Sequence, residues 1–173
     1  MAIHPRSRRY DGFTLVEVVA AIVLFGVVAA MTAHVLSQGF QSFIMGRNIA
    51  ETDWQARVAL ERMTRELRII RAPADINIIM TSGSDLTFTD LDGNAIRYCL
   101  GTVGTCPGAA GDLTRNTQAL ATGVSGLAFS YLTRTGAATA TPAQVYYVVI
   151  EFTATQGSMS KSYQAVVSPR NFP

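Results

Sequence analysis

The sequence has very little lysine and, over one long stretch, no charged residue at all. Of its 14 basic residues thirteen are arginine, and Lys161 is the single lysine. Charged residues make up 15 % of the chain, whereas about 25 % is usual for a soluble domain. The deficit is local, because no Asp, Glu, Lys or Arg occurs from residue 18 to residue 45. A net charge of only +2 excludes a general nucleic-acid binder, and the uncharged stretch excludes a chain built wholly for water.

The sequence also lacks the residue sets that enzymes use. No Ser/His/Asp set, no pair of catalytic carboxylates and no glycine-rich phosphate loop stands out. The two histidines, His4 and His34, are not placed to join the cysteines as metal ligands. We therefore expect no enzyme, no cofactor, no metal site and no nucleic acid as a partner, and we interpret His34 as a packing or contact residue.

The uncharged stretch belongs to a segment that is long enough to cross a bilayer. Residues 13–36 are apolar except at Thr14, Glu17, Thr32 and His34, and a membrane helix needs about 20 such residues. Residues 1–12 are polar and basic, which is typical of a leader and not of a folded segment. Three arginines in this leader precede the apolar segment, so the N-terminus is predicted to stay in the cytoplasm and the chain beyond about residue 46 to lie outside.

Residues 47–72 are the predicted amphipathic half of the same helix, and Pro73 ends it. The following domain is expected to cover one apolar face, made of Trp54, Val58, Leu60, Met63, Leu67 and Ile70. The other face is predicted to pair opposite charges four residues apart, as Arg57 with Glu61, Glu61 with Arg65, and Arg62 with Glu66.

The remaining residues, 73–173, carry the signals of antiparallel strands. Residues 86–89 and 96–98 alternate on either side of a turn, which predicts a hairpin. Residues 127–132 are a further strand, and residues 145–153 and 162–167 are a second hairpin. The predicted fold class is α+β, with one long N-terminal helix packed on an antiparallel sheet of about four or more strands. The predicted organisation is a leader (1–12), a transmembrane and assembly half of the helix (13–46) and an exported domain (47–173).

Glu17 is an acidic residue inside the apolar segment. An acid at the centre of a membrane helix costs about 2.5–3.5 kcal/mol on insertion scales, so a carboxylate there is expected to have a function and a partner. The chain offers no Lys or Arg within reach beyond the leader. Cleavage between Gly12 and Phe13 would supply a free α-amine, either one helical turn away or on a neighbouring copy.

Residues 12–17 (GFTLVE), behind a short basic leader and ahead of a long apolar helix, resemble the class III signal of type IV prepilins and type II secretion pseudopilins. The resemblance implies a pilin-like fold, and it implies that a prepilin peptidase cuts after Gly12 and N-methylates Phe13. It also implies that Glu17 neutralises the N-terminus of a neighbouring subunit during assembly. The protein would then be a single-pass protein of the inner membrane, with a periplasmic C-terminal domain, that enters a pilus or pseudopilus.

Other interpretations explain less of the N-terminal region. A cleaved Sec signal peptide normally has an apolar core of about 7–15 residues, shorter than this one, and no acid inside it. Residues 7–9 (SRR) are similar to part of a twin-arginine signal, but Asp11 follows where an apolar residue is expected. A plain single-pass anchor on an unrelated domain explains the apolar segment but not Glu17.

Segments further along the chain are similar to J-type minor pseudopilins and W-type minor pilins, namely residues 113–116, 120–124, 127–131 and 167–171. His34 lies roughly where major pilins place a proline, and both cysteines are central, which favours a minor subunit. The resemblance implies a part in priming or tip assembly of a pilus. The implied partners are other pilin-like subunits, prepilin peptidase, the inner-membrane assembly platform and membrane lipid. The alternatives are a minor pseudopilin of a type II secretion system and a membrane-anchored periplasmic binding module that never polymerises.

Two features of the exported domain allow a ligand as well as a structural role. Cys99 and Cys106 enclose a short loop in a compartment where disulfides persist, so we expect a disulfide, which would stabilise the fold by about 2–2.5 kcal/mol. Residues 90–94 (DLDGN) hint at a calcium loop. The spacing departs from that of an EF-hand, and we expect a hairpin turn there.

Overall fold

The computed structural model describes Gly12 and residues 14–77, 83–101 and 105–172. Within these residues the chain forms one long α-helix followed by seven antiparallel strands, and the predicted α+β class is confirmed. By its internal contacts the chain divides into two units, Met1–Met45 and Gly46–Pro173. The helix, α1 (Leu15–Leu67), contributes residues to both units.

In the first unit α1 begins at a capped N-terminus and is exposed. Thr14 precedes the first helical residue, and its Oγ1 accepts a hydrogen bond from the Glu17 N–H at 3.3 Å. Threonine at the cap with glutamate three residues later is the order of a capping box, which satisfies N–H groups that have no partner inside the helix. All residues from 14 to 48 are exposed, including the large apolar side chains.

In the second unit one face of α1 is buried. Its buried residues are Ala56, Ala59, Met63 and Leu67, which recur every three or four positions as a helical face requires. The sequence prediction for this face was wrong at two positions, because Trp54 is 67 % exposed and Val58 is 42 % exposed. Ala56 and Ala59 face the core instead, beside Met63 and Leu67.

The helix ends at Leu67, five residues before the predicted end at residue 72. A turn follows, and Ile70 forms an isolated antiparallel bridge with Asp90. Ala72 is extended (φ −154°, ψ 158°), because proline disfavours the helical conformation in the residue before it. Pro73 therefore starts a short 3-10 helix, Pro73–Asp75, instead of directly following α1.

The strands form two sheets, where the sequence predicted one. The first sheet has the order β1-β2-β3-β4 and consists of β1 (Asp85–Thr89), β2 (Ala95–Leu100), β3 (Leu113–Arg115) and β4 (Gln118–Ala121). The second sheet has the order β5-β6-β7 and consists of β5 (Val124–Leu132), β6 (Tyr147–Gln156) and β7 (Met159–Val167). Both predicted hairpins are confirmed, as β1–β2 and β6–β7. Sequence analysis did not predict β3 and β4, which are three and four residues long.

The core of the second unit joins the buried face of α1 to both sheets. Its largest fully buried side chains include Tyr98 and Phe88 from the first sheet, Phe152 from the second, and Met63 and Leu67 from α1. Aromatic rings pair within each sheet: the centroids of Phe88 and Tyr98 are 6.3 Å apart, and those of Phe152 and Tyr163 are 5.2 Å apart. One hydrophobic cluster therefore holds the domain together.

Candidate functional site

The junction that the sequence singled out lies at the start of α1. Gly12 is exposed, with no atom within 4 Å of the position that a Cβ would occupy. Thr14 is also exposed and caps the helix. Phe13 lies outside the described residues, so cleavage after Gly12 and methylation of Phe13 stay predictions.

Glu17 lies in the first turn of α1, on an exposed part of the helix. A negative charge there interacts favourably with the partial positive charge of the helix N-terminus. Among the described residues no cationic side chain pairs with Glu17. The described residues thus supply no cation for this carboxylate, and its role in assembly remains a prediction.

Three polar side chains deeper in the apolar half of α1 form hydrogen bonds within the helix. Thr32 Oγ1 donates to the Val28 carbonyl at 2.8 Å, and Nε2 of Gln38 lies 2.9 Å from Nε2 of His34. Such internal bonds lower the cost of polar groups in lipid, where water is absent. An 18-residue window of α1 has a mean hydropathy of 2.5, so the helix is long and apolar enough to cross a membrane. His34 is exposed, and nothing in the described structure tests its predicted contact role.

In the second unit, Glu66 joins α1 to the first sheet. Its carboxylate accepts hydrogen bonds from the Tyr98 hydroxyl at 2.6 Å and from Arg115 Nε at 2.8 and 3.0 Å. Arg62 Nε donates to it as well, at 3.0 Å, so the predicted pair of Arg62 and Glu66 is present. Burial raises the pKa of Glu66, but the hydrogen bonds from Arg115, Tyr98 and Arg62 outweigh it and hold the pKa below its ordinary value of 4.5. Burial, together with Glu66, raises the pKa of Tyr98, which stays a neutral donor.

Asp53 joins α1 to the second sheet in the same way. It accepts hydrogen bonds from Lys161 Nζ at 2.6 Å, from the Tyr163 hydroxyl at 2.5 Å and from Arg57 Nε at 2.7 Å. The bonds from Lys161, Tyr163 and Arg57 lower the pKa of Asp53. Burial and the bond to Asp53 raise the pKa of Tyr163 to about 12. Glu66 thus joins α1 to the first sheet, and Asp53 joins α1 to the second.

Two of the predicted ion pairs on α1 are not formed. Arg57 binds Asp53, four residues before it, and not Glu61. Glu61 and Arg65 form no ion pair in the described structure either. The prediction used spacing alone, and the same spacing of four residues also places Asp53 within reach of Arg57.

The predicted disulfide is confirmed. Cys99 at the end of β2 and Cys106 are joined, with a Cα–Cα distance of 5.9 Å. The Thr114 hydroxyl of β3 lies 3.3 Å from the sulfur of Cys99 and 3.2 Å from that of Cys106. The bridge closes the connection that leads from β2 towards β3.

The acidic turn at residues 90–94 connects β1 and β2 as a hairpin turn. Asp90 Oδ1 accepts hydrogen bonds from the N–H groups of Asp92 at 3.0 Å and Asn94 at 2.8 Å, and its Oδ2 accepts from the Asn94 amide at 3.1 Å. These bonds lower the pKa of Asp90. In the part of the chain that the structure describes, no group of three or more His, Cys, Asp or Glu side chains could hold a metal ion.

Together the fold and the junction define a class. The chain has the arrangement of a pilin-like fold, one long N-terminal helix followed by antiparallel sheets, and the apolar half of α1 fits a membrane-anchored, single-pass protein. Residues 7–33 match the family model for the prokaryotic N-terminal methylation motif. The chain therefore carries a prepilin-type signal, as expected of a type IV pilin-like protein. No curated protein matches the chain.

Proposed function

We propose that the chain is a minor type IV pilin-like subunit that is cleaved between Gly12 and Phe13 and takes part in priming or tip assembly of a pilus. The observation that supports this most directly is the order of features at the N-terminus. The methylation motif covers residues 7–33, α1 starts within it at Leu15, and Glu17 lies exposed in the first turn of that apolar helix. A helix with this composition is stable in a lipid bilayer, and its acidic side chain needs a cationic partner there.

Assembly would provide that cation. After cleavage, the α-amine of Phe13 is a positive charge at the start of an apolar helix, and Glu17 of another subunit is its counterion. In a medium of low dielectric constant, two such charges attract strongly and each is costly when unpaired. The pair therefore favours one axial register between neighbouring helices. The partners proposed on this basis are other pilin-like subunits, prepilin peptidase, the inner-membrane assembly platform and membrane lipid.

The role proposed for the domain beyond residue 46 is structural and not catalytic, and its proposed location is the periplasm. The disulfide of Cys99 and Cys106 supports an exported domain, because disulfides persist in oxidising compartments and are rare in the cytosol. The Arg-rich leader supports an N-terminus inside the cell.

A minor pseudopilin of a type II secretion system is the second candidate, because the methylation motif is expected of both kinds of subunit. A membrane-anchored module that never polymerises is the third. Co-purification of the processed full-length protein with other pilin-like subunits separates the first two from the third, which would behave as a strict monomer.

The test of the proposed role of Glu17 is its replacement. Glu17→Ala should leave membrane insertion intact, since it removes a polar group from an apolar helix, but should block incorporation into filaments. The measurement compares the amounts of protein in the membrane and in sheared filament fractions. Glu51→Ala is the matched control, because Glu51 is an exposed acid of the same helix outside the apolar segment. Glu17→Ala protein at the wild-type level in filaments would refute the role.

A further inference from the structure

A basic groove in the second unit is not used by the proposed function. It lies between the last turns of α1, β7 and the C-terminal tail, and its volume is about 610 Å³. Four arginines line it: Arg57, Arg65, Arg68 and Arg170. We call it the arginine groove. The tail is fixed against the helix end by backbone hydrogen bonding, since the Arg170 N–H donates to the Arg68 carbonyl at 3.0 Å.

Three of the four groove arginines have no carboxylate partner in the described structure, and the exception is Arg57, which pairs with Asp53. Of the ten arginines in the described residues, five form ion pairs with Asp or Glu, and Arg134 lies over the ring of Tyr146. The remaining four are Arg47 and three from the groove, Arg65, Arg68 and Arg170. All three are exposed, and Glu61 is the one acidic side chain among the described residues that line the groove. Half of the described arginines thus pair with a carboxylate, whereas three without such a partner line a single cavity.

The helix dipole explains only part of this arrangement. Cationic side chains at the end of a helix interact favourably with its C-terminus, which accounts for Arg65 in the last turn and for Arg68, the residue directly after α1. It does not account for Arg170, which comes from the tail. The other polar groups of the groove are already used inside the protein: the Tyr163 hydroxyl donates to Asp53, and the Thr64 hydroxyl donates to the Leu60 carbonyl. The guanidinium groups are therefore what the groove offers to a ligand.

We propose that the arginine groove binds a segment of a partner protein with closely spaced Asp or Glu side chains. A guanidinium donates two parallel hydrogen bonds to a carboxylate, which gives specificity as well as attraction. The half-buried Leu60 and Ile69 also line the groove and would contact an apolar side chain between the acids. An acidic polypeptide fits the groove better than a nucleic acid for two reasons. Residues 46–173 are nearly neutral, with eleven Lys and Arg against ten Asp and Glu. The one aromatic ring of the groove, that of Tyr163, is buried and cannot stack on a base. The inference goes beyond the proposed function and does not depend on processing at Gly12.

The test uses the full chain in nonionic detergent and a fluorescein-labelled peptide of about ten residues that alternates Glu with Val. Fluorescence anisotropy should show binding that weakens as salt is raised, whereas a peptide with Gln at every Glu should not bind. Arg65→Gln, Arg68→Gln and Arg170→Gln should each weaken binding by about twofold to fivefold, and the triple variant by about tenfold or more. Glu61→Gln should strengthen binding, because it removes the repelling charge.

Arg47→Gln is the matched control, since Arg47 is an exposed arginine of the same helix, without an ion pair in the described structure and outside the groove. It should bind the Glu peptide as the wild type does. Equal loss in Arg47→Gln and in the groove variants would overturn the proposal, because binding would then follow overall charge. Absence of binding by the wild type would also overturn it. A third result would overturn it as well. In that result a labelled oligonucleotide binds the wild type and binds the three groove variants more weakly, while the Glu peptide does not bind.

Discussion

At the scale of single residues, two acids of α1 link the helix to the two sheets, in addition to the hydrophobic cluster. Glu66 and Asp53 each accept hydrogen bonds from three side chains. In each case two of the three donors lie on strands of a sheet. The sequence shows that these residues are acids on a helix, but it does not show which strands come near them. Spacing within α1 was enough to predict the pair of Arg62 and Glu66. It could not predict Tyr98 and Arg115, which are distant in sequence and reach Glu66 only through the fold.

The pH dependence of stability should show the contribution of Glu66. Its pKa in the folded protein is below its ordinary value of 4.5, so its contribution is fully present above about pH 4.5 and is lost as the pH falls through the lowered pKa. Glu66→Gln carries no charge at any pH. We expect this variant to be less stable than the wild type by about 1–3 kcal/mol at neutral pH, and the difference to shrink in acid.

Urea unfolding of the full chain in detergent, followed by near-ultraviolet circular dichroism, measures this difference at neutral and acidic pH. Glu51→Gln is the control, since Glu51 is exposed and should unfold with the wild type. A Glu66→Gln deficit of the same size at pH 3 as at pH 7, or no deficit at pH 7, would contradict the assignment.

At the scale of elements, the periodicity of apolar residues and the positions of turn residues predicted the kind of structure that forms. They did not predict which residues form its contacts. The hairpins β1–β2 and β6–β7 follow from alternation and turn residues, and the helix follows from its apolar run. The buried face of α1 was predicted from the spacing of apolar residues, which correctly included Met63 and Leu67 but also included Trp54 and Val58. Ala56 and Ala59 are buried instead, and Trp54 lies on the exposed side. Strands as short as β3 have too few residues to show a period.

The connection after β2 contains the tightest close approach of a glycine in the described structure. A Cβ added at Gly101 would lie 2.1 Å from the Ala109 carbonyl oxygen, and the Gly101 N–H donates to the Asp112 carbonyl at 2.8 Å. Backbone must therefore move to admit a side chain. We expect Gly101→Ala to destabilise the protein by about 2–3 kcal/mol in urea unfolding, through strain in the loop that the disulfide closes.

Gly46→Ala is the matched control, because Gly46 lies in α1 with no atom within 4 Å of its added Cβ. It should be neutral or slightly stabilising, since alanine favours the helix by about 0.8–1.0 kcal/mol over glycine. If Gly101→Ala unfolds at the same urea concentration as the wild type, this close approach does not exist in the protein.

At the scale of the whole molecule, the sequence predicted the class well because its signals are long or local. The uncharged run predicted a helix long and apolar enough to cross a membrane, the short motif predicted the prepilin-type signal, and the alternating residues after Pro73 predicted the strands of the α+β fold. The division of the strands into two sheets could not be predicted, because it depends on how the chain turns between β4 and β5. The arginine groove could not be predicted either, since it joins the end of α1 to a tail that lies about a hundred residues away in sequence.

The central claim is that the chain is a prepilin-type subunit, and the intact mass of the protein from membranes tests it most directly. The protein is expressed with and without a prepilin peptidase, extracted and weighed by mass spectrometry. We predict that the peptidase yields a mature chain that starts at N-methylated Phe13, and that the full chain with Met1–Gly12 remains in its absence. A chain that keeps residues 1–12 in the presence of the peptidase, or that is cut elsewhere, would contradict the account and favour an anchored module that does not polymerise.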